Sequence, residues 1–231
     1  ILIDAGVSRK RIVDGLRSIH VAPESLDAIL VTHEHTDHIQ GIPMMTKYFH
    51  VPVYGTAGTL NGIRQKDSKG LVTMEHLYQV YADRPVKIGS LEVMPFHMSH
   101  DAADPVCYTV EASGHKVGMA TDLGVYDDYT VSHLEGCEVI MLEANDLSRV
   151  KRVVQENKVD GMIVTRVLTN DPVIQYLESE HVPLTVIGEV KGHEALYVDD
   201  DTVEACMQMT DYLLGRRINR MALIGGNEQH M

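Results

Sequence analysis

The six residues His33-Glu34-His35-Thr36-Asp37-His38 constrain this chain more than any other stretch. They follow the apolar run Ala28-Ile29-Leu30-Val31, whose length after Asp27 predicts a buried strand. Polar chemistry interrupts that strand abruptly, and a helix is expected to begin next. A strand end holds side chains rigidly, and the following loop can turn several of them toward one point. Neutral imidazoles bind zinc or manganese through nitrogen, and a carboxylate adds a hard oxygen. Three His and one Asp in six residues therefore predict a metal site, since a cation supplies the charge that holds such donors together.

Two later segments add candidate ligands. Ser99-His100-Asp101-Ala102 follows the strand-like run Leu91 to Pro95, and Thr121-Asp122-Leu123-Gly124 follows the run Lys116 to Ala120. Alone, a His is more often an ordinary surface or core residue, and an Asp at a strand end is more often a turn former. His97 lies close to His100, and spacing does not choose between them.

Bulk composition narrows the alternatives. The 231 residues suit one large domain or two small ones, and 44% hydrophobic residues suffice for a core. A net charge of −13 argues against a surface that coats nucleic acid, which needs many Lys and Arg. It does not exclude a nuclease, because a metal site brings its own positive charge. Cys107, Cys137 and Cys206 are far apart and form no CxxC pair, so neither a disulfide framework nor a thiolate zinc site is expected, and a reduced, cytoplasmic setting fits. No apolar run reaches the length of a membrane helix, and no signal peptide is visible. The chain opens on Ile1-Leu2-Ile3 and stops soon after Ala222-Leu223-Ile224, so both ends read as cuts through a longer protein.

The chain has two rhythms. Up to about residue 145 strands cluster: Ile1–Ile3, Ala28–Val31, Val51–Tyr54, Val86–Ile88, Leu91–Pro95, Val106–Val110, Lys116–Ala120 and Val139–Leu142. Ser8 is expected to cap a helix with Ile12, Val13, Leu16 and Ile19 on one face, and a second helix is expected over Ile39–Phe49. Residues 55 to 85 read as a helix and a loop. After residue 145, helix and strand alternate: helix Arg149–Asn157, strand Met162–Thr165, helix Asp171–Glu180, strand Leu184–Ile187, helix Val203–Leu214, strand Met221–Ile224. That alternation predicts a parallel sheet of βαβ units.

The ordered set LIDAG at Leu2–Gly6, THEHTDH at Thr32–His38, SHDAADPVCY at Ser99–Tyr108 and TDLG at Thr121–Gly124 resembles the metallo-β-lactamase superfamily, in particular its YycJ/WalJ-like branch. The resemblance implies an αββα sandwich with two divalent ions, zinc or manganese, at its edge. It implies that His33, His35 and His100 hold the first metal, that Asp37 and His38 hold the second, and that Asp122 bridges both. His100 is thereby preferred to His97, and Asp4 becomes the residue that orients a ligand. The implied reaction is hydrolysis by a water held between two metals, with Asp37 as the catalytic group that orients and deprotonates it. The implied substrate is a phosphodiester, with nucleic acid as partner; nothing in the chain points to a membrane or a protein partner.

The pattern departs from the superfamily in three places. The N-terminal strand with its small-residue loop is missing. Leu142-Glu143-Ala144-Asn145 is followed by Asp146 where the branch has a His, and His193, after Gly192, stands in a non-matching context. Beyond that point Val159–Val164, Val182–Leu184, Tyr197–Asp201 and Ile218–Gly226 resemble, in order, pieces of the sugar-sensing domain of LacI-type transcription regulators. The expected architecture is α/β: an incomplete metallo-β-lactamase sandwich over 1–145, then a periplasmic-binding-protein-like βαβ fragment over 147–231, joined near 144–150. Two other readings stand beside the hydrolase: a ligand-binding regulator fragment, and a non-functional composite of both. The acidic triplet Asp199-Asp200-Asp201 reads as a loop and helix cap.

Overall fold

A computed structural model of the chain describes residues 1–122, 127–143, 150–151, 154–155, 161–165, 171–187 and 196–198. It divides into two compact units, Ile1–Ile140 and Met141–Met231.

In the first unit the buried strand predicted at Ala28–Val31 organises everything around it. Its regular part is β2 (Ile29–Leu30), and all four residues from Ala28 to Val31 are fully buried. Successive strand side chains point to opposite faces. Ile29 and Val31 enter one core, with Ile12, Leu16, Ile42, Met45, Leu60 and Ile63 from helices. Ala28 and Leu30 enter a second core, with Ile88, Val93, Val106 and Tyr108 from another sheet. Burial of one such aliphatic side chain is worth about 1.5–3 kcal/mol, so β2 is anchored from both sides.

The first sheet is parallel, in the order β1 (Leu2–Ile3), β2, β3 (Val53–Gly55), β4 (Leu77–Gln79). Its register pairs Leu2 with Ile29, Ile29 with Val53, and Val53 with Leu77. The helices packed on it are α1 (Arg9–Ser18), α3 (Ile42–Phe49) and α4 (Ala57–Lys66). The second sheet is an antiparallel meander of β5 (Val86–Ile88), β6 (Leu91–His97), β7 (Val106–Ala112) and β8 (His115–Ala120). Helix α5 (Asp128–Leu134) covers its outer face: His133 stacks on Phe96 at 4.9 Å, and Gly118 leaves room for Leu134. The layers are thus α, β, β, α, as expected. Tyr108 ties the sheets together by donating its hydroxyl to the Val31 carbonyl at 2.8 Å.

Several local expectations need correction. The helix foreseen over Ile39–Phe49 starts earlier, as α2 (Thr36–Ile39), and breaks at Gly41 before α3. The cause is tertiary: the Gly41 N–H donates to the Ala5 carbonyl at 2.7 Å, and the His38 carbonyl accepts the Ala5 N–H at 2.7 Å, which diverts both groups from the helix ladder. Ile19 does not join the buried face of α1; it follows the helix and is 66% exposed. β6 runs two residues past Pro95, to His97. Strand β4 and helix α5 were not foreseen. Cys107 and Cys137 are buried and free.

Strand β9 (Val139–Glu143) runs through the unit boundary. The second unit holds β10 (Gly161–Thr165), α6 (Pro172–Ser179), β11 (Leu184–Ile187) and β12 (Leu196–Val198). β10 and β11 pair in parallel, as the alternating rhythm required, and β12, which was not expected, pairs in parallel with β11. Asp171 caps α6 by accepting the Val173 N–H at 2.8 Å. Residues 150, 151, 154 and 155 are helical, within the helix expected over Arg149–Asn157. The expected helix Val203–Leu214, the strand Met221–Ile224, Asp199–Asp201, Asn145, Asp146 and His193 lie outside the described residues. Among the described residues no helix is long and apolar enough to cross a membrane.

Candidate metal centre

The six expected ligands sit after three strand ends of the first unit: His33 to His38 after β2, His100 after β6 and Asp122 after β8. Backbone pairing brings these ends together, because the Val106 N–H at the start of β7 donates to the Thr32 carbonyl at 3.0 Å. Met98 N–H to Pro105 carbonyl, 3.4 Å, closes the loop that carries His100.

The donors form two groups that share His33. In one, the ligand atoms of His33, His35 and His100 lie within 4.8 Å of one another; in the other, those of His33, His38 and Asp122 do. His35 Nδ1 and His100 Nε2 are 3.3 Å apart. Asp122 Oδ2 is 2.7 Å from His38 Nε2 and 4.0 Å from the Nε2 of His33, the imidazole that both groups share. Asp37 lies in the first turn of α2 and stands outside both groups: its side chain is 70% exposed and its carboxylate is 3.9 Å from His38 Nε2. His97 stays apart, 60% exposed, with Asp104 at 3.9 Å.

Asp4 holds the rear of the site. Its Oδ1 accepts the Thr32 N–H at 2.9 Å, and its Oδ2 accepts the Thr32 hydroxyl at 2.9 Å and faces His38 Nδ1 at 2.8 Å. A carboxylate on Nδ1 fixes the imidazole so that Nε2 points into the cluster. Both Asp4 and Asp122 occupy the left-handed region, at φ 57° and 55°, a conformation Asp tolerates better than most residues.

Electrostatics separates the two central imidazoles. Burial, and then the neighbouring His38, His100 and His35, push His33 down to about 3 despite Asp122. Burial also opposes charge on His38, but hydrogen bonds and charges from Asp122 and Asp4 outweigh it and raise His38 to about 10. The donor set fits a divalent cation on an independent observation as well. His33 Nε2 is fully buried and has no hydrogen-bond partner among the described residues, at the point where both groups meet. A buried neutral nitrogen left without a partner is costly, and a cation satisfies it.

Two neighbours escaped the reading of the sequence. The Thr32 hydroxyl is 3.0 Å from His33 Nδ1 and 3.4 Å from His38 Nδ1. The Glu34 Oε1 accepts the Ala103 N–H at 2.9 Å.

An αββα sandwich that gathers imidazoles and a carboxylate at its strand ends defines a class of metal-binding domain. The family model described as a beta-lactamase superfamily domain matches residues 1–167, and the chain belongs to that family. It is 31% identical over 147 residues to the exodeoxyribonuclease WalJ of Streptococcus pneumoniae, an overlap covering 63% of this chain and 54% of WalJ. The chain thus spans about half the length of that relative. A separate similarity, 28% identity over 87 residues, joins it to the HTH-type transcriptional regulator MalR of Streptococcus pneumoniae, covering 38% of this chain and 26% of MalR. Among solved structures, the metallo-beta-lactamase fold protein YhfI from Bacillus subtilis matches with a TM-score of 0.62 at 16% identity, over 81% of this chain and 83% of YhfI, which speaks for the fold alone.

Proposed function

We propose that the chain is a hydrolase of phosphodiesters, acting on nucleic acid, with two divalent cations, zinc or manganese, at the His33–Asp122 cluster. The observation that carries this is the buried, unpartnered Nε2 of His33 at the meeting point of two donor groups. The similarity to a protein named exodeoxyribonuclease supports the substrate class. With a net charge of −13 the chain offers phosphates little general attraction, and cations at the cluster would supply the positive charge a phosphodiester needs.

Cations bound there supply Lewis acidity and an activated water. His33, His35 and His100 would hold the first. His38 and Asp37 would hold the second, and Asp122, which stands beside both His38 and His33, would serve both. Asp4 keeps His38 Nε2 aimed inward through Nδ1. Asp37, the most exposed of the set, orients the attacking water and takes its proton at a carboxylate oxygen.

The test is reconstitution of the full chain, stripped with chelator, with zinc or manganese, followed by hydrolysis of an end-labelled single-stranded DNA. About two ions per chain and cleavage abolished by Asp37→Ala support the reading. A chain that takes up neither ion refutes it. The C-terminal residues we read as a LacI-type sensor fragment, supported by the MalR similarity and the parallel order of β10, β11 and β12. Sugar binding by the full chain without any metal uptake would make that portion the functional one.

A further inference from the structure

The loop that carries His100 is held from two sides. On one side α4 grips it: the Thr56 hydroxyl donates to the Asp104 carbonyl at 2.6 Å, and a Cβ on Gly58 would stand 2.7 Å from Asp104 Cβ. On the other side stands Glu34, the residue between the first two His of the cluster. Its Oε1 accepts the Ala103 N–H at 2.9 Å, three residues beyond His100. Its own carbonyl accepts the Lys66 ammonium from the end of α4 at 2.9 Å. Its side chain lies flat on α4 at the one residue that leaves room for it, since a Cβ on Gly62 would stand 2.4 Å from Glu34 Cγ and 2.6 Å from Glu34 Cβ.

These contacts close a triangle of three segments that are distant in sequence. Nothing in that geometry serves a surface carboxylate, whose second oxygen, Oε2, is buried without a hydrogen-bond partner among the described residues. Holding a carboxylate there costs desolvation, and the return is a fixed distance between the His33–His38 loop and the His100 loop. His33 and His35 come from one of these loops and His100 from the other, so the three-imidazole group exists only while that distance holds.

We propose that Glu34 is a positioning residue that clamps the His100 loop onto the His33–His38 loop and so assembles the His33–His35–His100 ligand group. This rests on the reading of the site given above. Residues just outside a ligand shell typically govern metal affinity by about 10–100-fold, and Glu34→Ala is expected to weaken zinc at this group by that factor. Glu34→Gln keeps an acceptor at Oε1 and should retain affinity close to wild type. Gly62→Ala pushes the Glu34 side chain off α4 and should reproduce the loss. Because both lesions break one clamp, Glu34→Ala with Gly62→Ala should be no weaker than Glu34→Ala alone.

The experiment is zinc titration of the full chain against a chelating dye. A further arm places Glu34→Ala in a His35→Ala background, which already lacks the group. There the remaining zinc should bind unchanged, whereas a general loss of structure would weaken it further and overturn the proposal. Wild-type affinity in Glu34→Ala, or additive losses in the Glu34→Ala and Gly62→Ala pair, would also overturn it. Absence of zinc from the wild type would instead remove the metal-site reading itself.

Discussion

His33 and His38 hold their rings 4.0 Å apart, yet burial pushes one down to about 3 while two carboxylates lift the other to about 10. Their neighbours differ. His33 faces His35 and His100, which oppose a proton on it despite Asp122. His38 lies between Asp4 and Asp122 and holds a proton there. Residue type is therefore a poor guide to charge in this cluster, and neighbours decide it. His33 is ready for a cation without releasing a proton, whereas a cation at His38 must displace one.

The largest test of this contrast removes one half outright. His35→Ala deletes a ligand of the three-imidazole group and leaves His38, Asp4 and Asp122 untouched. Activity on end-labelled DNA should fall by about 10³-fold, equivalent to about 4 kcal/mol of transition-state stabilisation. Zinc content should fall by one ion rather than two. Loss of both ions would show that the halves are a single binding unit.

Asp4→Asn attacks the other half with a smaller expected effect. The amide offers an N–H where the carboxylate accepted one, so His38 favours the tautomer with its proton on Nε2, the atom meant for the cation. Affinity at the His38 group should drop about 10–100-fold while the first ion stays. Equal weakening of both ions would contradict the separation of the two groups.

Proton linkage probes the same contrast without metal. In the chelator-treated chain, His33 stays neutral when folded until about 3 but is protonated below about 6.5 when unfolded, so its contribution to stability falls as pH drops between these values. His38 keeps its proton when folded up to about 10 but loses it above about 6.5 when unfolded, so its stabilisation is complete below about 6.5 and disappears as pH rises toward 10. Melting scans should therefore show an alkaline decline of a few degrees that His38→Asn selectively flattens. A decline of the same size in the variant would place its origin elsewhere.

The legibility of these features follows a physical divide. The strand Ala28–Val31 and the ligand run after it were readable because burial and chemistry are both local in sequence. Within the alternation after residue 145, Leu184–Ile187 was readable for the same reason and is a strand over the residues expected. The break at Gly41 was not, because the groups that divert its backbone hydrogen bonds are those of Ala5, more than thirty residues away. His97 and His100 could not be separated by spacing. The strand that carries His97 runs two residues past the proline at which it was expected to stop, which leaves His97 on the strand and turns His100 into the cluster. Glu34 and Thr32 were hidden because their partners, Ala103 and Asp4, come from distant segments.

Thr32 offers the finest test, because its hydroxyl touches both halves. It donates to Asp4 Oδ2 at 2.9 Å and lies 3.0 Å from His33 Nδ1 and 3.4 Å from His38 Nδ1, inside a fully buried residue. Thr32→Val keeps the shape and deletes the hydroxyl. A hydrogen bond of this kind contributes about 1 kcal/mol, so both ions should bind about fivefold more weakly, and Thr32→Ser should restore them. If Thr32→Val weakened only the ion held by His38, the hydroxyl would serve Asp4 alone, and the opposite proton affinities of His33 and His38 would owe nothing to the residue between them.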